Sequence, residues 1–188
     1  TVTIFSILPT LVYLWSVRTL GSPVGNLDWG AAIGSFVGLL AIGAAYTAVA
    51  LMASALTPNN VVAFVVGVAL NFGMYLGFES LADLYKFSGW ELTVRTLGMN
   101  EHYLSMARGV LDLRDVGYFI GVVFLFIGLT LGILAKNHLR QPWKKALLWM
   151  GIGLVIAAGS SAMRLRWDLT EEKRYSLSEG TESLLDQV

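Results

Sequence analysis

Charge is absent from four long stretches of this chain, residues 1–17, 29–78, 116–135 and 146–163. An α-helix rises 1.5 Å per residue, so about 20 mostly apolar residues carry it across about 30 Å of hydrocarbon. The run 29–78 is too long for one such helix. The breaker Thr57-Pro58-Asn59-Asn60 divides it into two antiparallel neighbours. The pattern therefore predicts five spans, at about 1–17, 30–56, 60–78, 116–135 and 146–163. Pro9 is expected to kink the first, which a bundle tolerates when neighbours satisfy the freed backbone groups. Trp15 and Arg18 sit where that span's interface should be.

Small residues recur inside the spans four apart: Gly30, Gly34 and Gly38; Gly73 and Gly77; Gly117 and Gly121; Gly128 and Gly132. Dispersion rather than hydrophobicity holds helices together in lipid, so these glycines are expected to let helix backbones approach closely.

The segments between spans differ in kind. Residues 19–29 are a turn-rich loop with Gly, Pro, Asn and Asp. Residues 79–115 hold six acids and four bases, together with Tyr85, Trp90 and Tyr103. From Asn100 to Asp112, the positions Tyr103, Leu104, Met106, Ala107, Val110 and Leu111 recur at helical spacing. This predicts a short amphipathic helix at the membrane surface, with Asn100 as its N-cap and Gly109 as a break near its end. The connector Lys136–Lys145, KNHLRQPWKK, carries four bases, no acid and Trp143 at its edge. A membrane chain shows such a segment where it turns in the cytoplasm. Nine bases nevertheless fall on the opposite side of a five-span layout, so charge alone leaves the orientation open. The remainder, 164–188, is polar and charge-mixed, and Ser176-x-x-Glu179 reads as a capping box opening a helix through Leu184 and Leu185.

Composition agrees with the pattern. The chain is 55% hydrophobic and 14% charged, with a mean hydropathy of +0.64, whereas soluble domains carry about 25% charged residues. A formal net charge of zero gives no reason to expect a nucleic-acid partner. With no cysteine, disulfides, thiol catalysis and Cys-ligated metals are excluded. The GxxxxGK[ST] pattern is missing, so ATP hydrolysis by that route is excluded too. The chain starts at Thr1 inside an apolar run and stops at Val188 within a predicted helix, the expectation for an internal piece of something longer.

The polar residues offer few sites. His102 and His138 are the only histidines, in separate loops, and read as interface groups rather than metal ligands. Glu79 and Asp83 are candidates to line a polar path, against ordinary interfacial roles. Asn71 is the strong polar residue within a span, where an interhelical hydrogen bond is the commoner use than contact with substrate. Arg108, Asp112, Arg114 and Asp115 read as the solvated, locally paired end of a surface helix. No catalytic, cofactor-binding or metal site is expected. An ion-coupled secondary transporter needs intramembrane ionisable groups that these spans lack.

Three stretches carry a resemblance. LPTLVYLWSVRTLGSPVGNLDWGAAIGSFVGLL, SALTPNNVVAF and LGFESLADL, with HYLSMARGVLDLRDVGYF at 102–119, resemble the gliding-motility-associated ABC transporter permeases, the GldF-like members of the ABC-2 type. The tail RWDLTEEKRYSLSEGTESLL, 167–185, with Asp168, Glu171, Glu172, Lys173 and Arg174, resembles the start of their partner GldG, just after its membrane anchor. The family has six spans, with surface-lying helices before the last. The resemblance thus implies that 1–135 is the C-terminal part of a permease and 136–145 a cytoplasmic connector. It implies a GldG-like anchor at 146–163 and the start of a periplasmic domain at 164–188. The first two family spans would be missing, and the join near Gln141-Pro142 would be a fusion of two subunits.

The expectation is an all-α integral membrane protein of the bacterial inner membrane, with five transmembrane helices, a surface amphipathic helix and the start of an extracytoplasmic domain. By the resemblance its partners are a GldA-like ATP-binding subunit, a second permease copy and membrane lipid. ATP and Mg²⁺ would belong to that subunit, with no cofactor in this chain. A non-transporting scaffold anchoring the GldG-like domain is the rival expectation.

Overall fold

Helix starts are written into the local sequence. Asp28 precedes the second apolar run, and its Oδ1 accepts from Ala31 N at 3.1 Å. Asn59 closes the Thr57–Pro58 break, and its Oδ1 accepts from Val61 N at 2.9 Å and Val62 N at 3.3 Å. Each cap satisfies backbone donors that the first helical turn leaves free. The structure, a computed structural model, describes residues 2–21, 28–84, 89–137, 143–163 and 165–170. The centre of the basic connector with His138, the capping box and most of the tail lie outside the described residues.

The order of elements is α1 (Val2–Leu20), α2 (Trp29–Leu56) and α3 (Asn60–Phe72), which passes through a π-helical turn at Gly73–Gly77 into α4 (Phe78–Leu84). Then follow α5 (Glu91–Arg95), α6 (Met99–Ala107), β1 (Val110–Asp112), α7 (Leu113–Asn137), α8 (Trp143–Ala162) and β2 (Arg166–Asp168). Among the described residues, four helices are long and apolar enough to cross a membrane: α2, the continuous Asn60–Leu84, α7 over Leu113–Ala135, and α8. The α1 helix continues through Pro9, and its Arg18 guanidinium lies 5.6 Å from the Trp29 ring centre.

The core gathers Ile42, Ala45 and Val49 of α2, Met99 and Met106 of α6, and Phe119 and Val122 of α7. In contrast, α3 leaves Val61, Phe64 and Phe72 largely exposed, as a lipid-facing helix does. The expected α2–α3 pairing is present, with Gly67 brought within reach of Ala50 and Ala53.

The glycine series split in their roles. On α7, Gly117 faces Ser160, Gly121 faces Ala157 and Gly153, and Gly128 faces Ala146 and Met150, so α7 and α8 lie against each other along their lengths. On α2 the close approach is made by α6 and the chain after β2 and not by another span. Gly30 meets the Leu169 carbonyl, Gly34 the Met106 carbonyl and Gly38 the Tyr103 ring. The α2 series therefore admits α6 and the segment after β2. Gly73 and Gly77 have nothing opposite them among the described residues and lie in the π-helical turn.

Two further corrections concern the loop. The predicted surface helix runs Met99–Ala107, is preceded by Gly98 in the cap position instead of Asn100, and buries Met99, His102 and Met106 inside the molecule. After Gly109, which takes φ +84, the chain becomes β1 rather than more helix. This strand pairs antiparallel with β2, placing Leu111 opposite Trp167. A single isolated pair of three-residue strands is weak by itself. Here its ends are held by Leu169 N to Gly109 O and Leu113 N to Leu165 O, both 3.0 Å. The end of α4, the start of α7 and the end of α8 accordingly share one end of the bundle.

Candidate functional site

At that end, α6 and the first turn of α7 bring two ionisable groups together. His102 Nδ1 lies 2.7 Å from Asp115 Oδ1, and His102 Nε2 lies 2.9 Å from the Thr96 carbonyl oxygen. Both side chains are buried, at 7% and 2% exposure. Each ring nitrogen faces an oxygen, so Nε2–H donates to Thr96 O and a proton sits between Nδ1 and Oδ1. The position of Asp115 in the first turn of α7 adds the favourable end of the helix dipole. Its second oxygen, Oδ2, is buried and has no hydrogen-bond partner among the described residues.

Tyr118, one turn along α7, stacks on His102 with ring centres 3.9 Å apart and donates its hydroxyl to Leu97 O at 2.6 Å. The imidazole is thus clamped by a carboxylate, a carbonyl and a ring face, while Thr96 O and Leu97 O tie the turn after α5 to α6 and α7. This corrects two expectations. Asp115 is not solvated, and His102 is a packed member of a polar cluster. Arg108 and Arg114 do remain exposed, with Arg114 paired to Asp112 at 3.9 Å.

The other candidates form separate contacts. Arg95 lies 3.2 Å from both Asp83 and Glu91 and 4.0 Å from Glu79, which also accepts from Asn100 Nδ2 at 2.7 Å. Glu79 and Asp83 therefore hold α5 and α6 to α4. Asn71 donates across the helix pair to Tyr46 O at 3.4 Å, the structural use favoured from the sequence. Asp168 lies on β2 and accepts from Thr170 N at 3.0 Å. Glu171, Glu172, Lys173 and Arg174 lie outside the described residues. Sequence reasoning missed Tyr118 and Thr96, since no local spacing signals either.

Two cavities adjoin the cluster. One of about 580 Å³ extends between Met74 and Phe78 on one side and α7 and α8 on the other, and its lining is chiefly apolar. The second, of about 200 Å³, is bounded by Glu101, Ser105, Arg108 and Asp115. Thr96, His102 and Arg114 line both. Comparison of the chain with protein families, with curated proteins and with solved structures finds no match.

Proposed function

We propose that the chain is the transmembrane, non-ATPase part of an ABC-2 type transporter of the gliding-motility class, working with a separate GldA-like ATPase in the bacterial inner membrane. The observation carrying this reading is the pair of short helices α5 and α6 held at one end of the bundle between α4 and α7. That is where the family whose motifs the sequence resembles has its surface helices before the last span. In this reading α1 is a fifth span, α8 is the GldG-like anchor and the tail is periplasmic. Nucleotide-driven closure of the ATPase rearranges the spans, and a second permease copy completes the complex. Copurification of the full-length chain with a GldA-like subunit tests it. A stable complex whose ATPase rate responds to the permease is expected, and no complex, or an indifferent rate, refutes it.

A second reading is favoured by the β1–β2 pairing and the close α7–α8 contact, which tie the tail's first strand to the 79–115 loop. It makes the spans a scaffold for a GldG-like domain. Cysteines scanned along 60–78 and 116–135 separate the two: nucleotide-dependent accessibility belongs to transport, uniform protection to the scaffold.

A further inference from the structure

The two cavities at the α6–α7 corner have the proportions of a head and a tail. Along α7 the lining of the larger one runs from Arg114 to Phe126, twelve residues on, which is about 18 Å of helix. Half of a hydrocarbon core about 30 Å thick is about 15 Å. The groove is therefore about as long as one leaflet is deep. Its polar end lies where α7 begins and α8 ends, the level of lipid headgroups. Leu154, 59% exposed, stands at the rim of its apolar part.

Charge in the smaller cavity is of both signs. Arg108 and Arg114 are exposed guanidiniums suited to a phosphate. Among the described residues, the Arg114 guanidinium has a single ion pair, 3.9 Å from Asp112, and its side chain is 53% exposed. Glu101 and Asp115 also line this recess. Asp115 Oδ2, buried and unpartnered among the described residues, needs a hydrogen-bond donor. A primary ammonium supplies that donor. A phosphate and a primary ammonium on one headgroup, above acyl chains, describe an aminophospholipid.

We propose that the two cavities form one site for an aminophospholipid, its phosphate at Arg108 and Arg114, its ammonium at Asp115 Oδ2 and an acyl chain along α7 and α8. The site requires a membrane and is independent of the transporter reading. Lipid in it bridges α4, α6, α7 and α8, so it acts as a structural ligand of the loop end.

Native mass spectrometry of the full-length chain, after exchange into phosphatidylethanolamine, phosphatidylcholine or phosphatidylglycerol, provides the test. Phosphatidylethanolamine is expected to be retained about tenfold better than the other two, the factor of one charge-assisted hydrogen bond. Phosphatidylcholine has no N–H for Asp115, and phosphatidylglycerol has no cation. Asp115→Asn should erase that preference. Arg108→Ala alters an exposed side chain and should weaken retention of all three lipids, and Leu154→Trp should obstruct the groove from its rim with the same result. Equal retention of the three lipids, or a preference for phosphatidylglycerol, overturns the proposal. Retention unchanged by both Arg108→Ala and Leu154→Trp also overturns it, as does a second polypeptide occupying the groove in place of lipid.

Discussion

Replacing His102 with leucine leaves Asp115 buried beside a side chain that offers it nothing. Removal of one partner of a buried imidazole–carboxyl pair costs about 3–5 kcal/mol, because the survivor stays desolvated. The lost stack on Tyr118 adds about 0.5–1.5 kcal/mol, whereas the α7 helix dipole returns about 0.3–1 kcal/mol to the carboxylate. The net cost stays near 3–5 kcal/mol, and it falls on the docking of α6 and β1, which only Arg108 and Gly109 join. Val110, 2% exposed at the start of β1, reports that docking. The sequence has no cysteine, so Val110→Cys provides a single thiol. Its maleimide labelling rate follows the open population when opening is fast. At about 1.4 kcal/mol per factor of ten, His102→Leu should raise that rate roughly a hundred- to a few-thousand-fold. The double variant His102→Leu/Asp115→Leu removes the stranded carboxyl and should return the rate to within about tenfold of the parent. A single variant that labels no faster than the parent, or a double variant as open as the single, refutes the idea that the pair clamps this corner.

Three further outcomes follow from the geometry. A Cβ added at Gly121 would stand 2.8 Å from both Ala157 Cβ and the Gly153 carbonyl oxygen. Gly121→Ala should therefore destabilise by about 1–3 kcal/mol, while Gly73→Ala, whose added Cβ meets nothing within 4 Å among the described residues, should be neutral or stabilise by up to about 1 kcal/mol. Thermal unfolding in detergent compares them, and equal effects would contradict the α7–α8 packing. Asn71→Leu removes the 3.4 Å bond to Tyr46 O and should cost about 0.6 kcal/mol in the same assay; a loss of several kcal/mol would give Asn71 another role. Leu111 and Trp167 are directly paired, at a separation of about 4.5–5.5 Å between Cα atoms, which a disulfide bridges. Leu111→Cys/Trp167→Cys should crosslink on mild oxidation, visible as a gel shift after cleavage between the two positions. Failure to crosslink would sever the tail from the loop.

Local sequence determined the helices and their breaks. The charge-free runs that become α2, Asn60–Leu84, α7 and α8, the caps Asp28 and Asn59, and Gly109 at the end of α6 act over a few residues, and each of these is found where its chemistry puts it. The glycines on α7 were legible for the same reason, since a four-residue spacing marks one helix face wherever the helix lies. What packs on a face is another matter. Gly30, Gly34 and Gly38 carry the same spacing, yet they receive a loop helix and the chain after β2. Only the tertiary structure decided the His102–Asp115 pair. Its members stand thirteen residues apart on different elements, and no window of sequence contains what covers them. Arg114 is exposed while its neighbour Asp115 is buried, because adjacent positions on a helix point about 100° apart. The strand pair was invisible on the same grounds: β1 becomes a strand only because β2 returns beside it, across the whole length of α7 and α8.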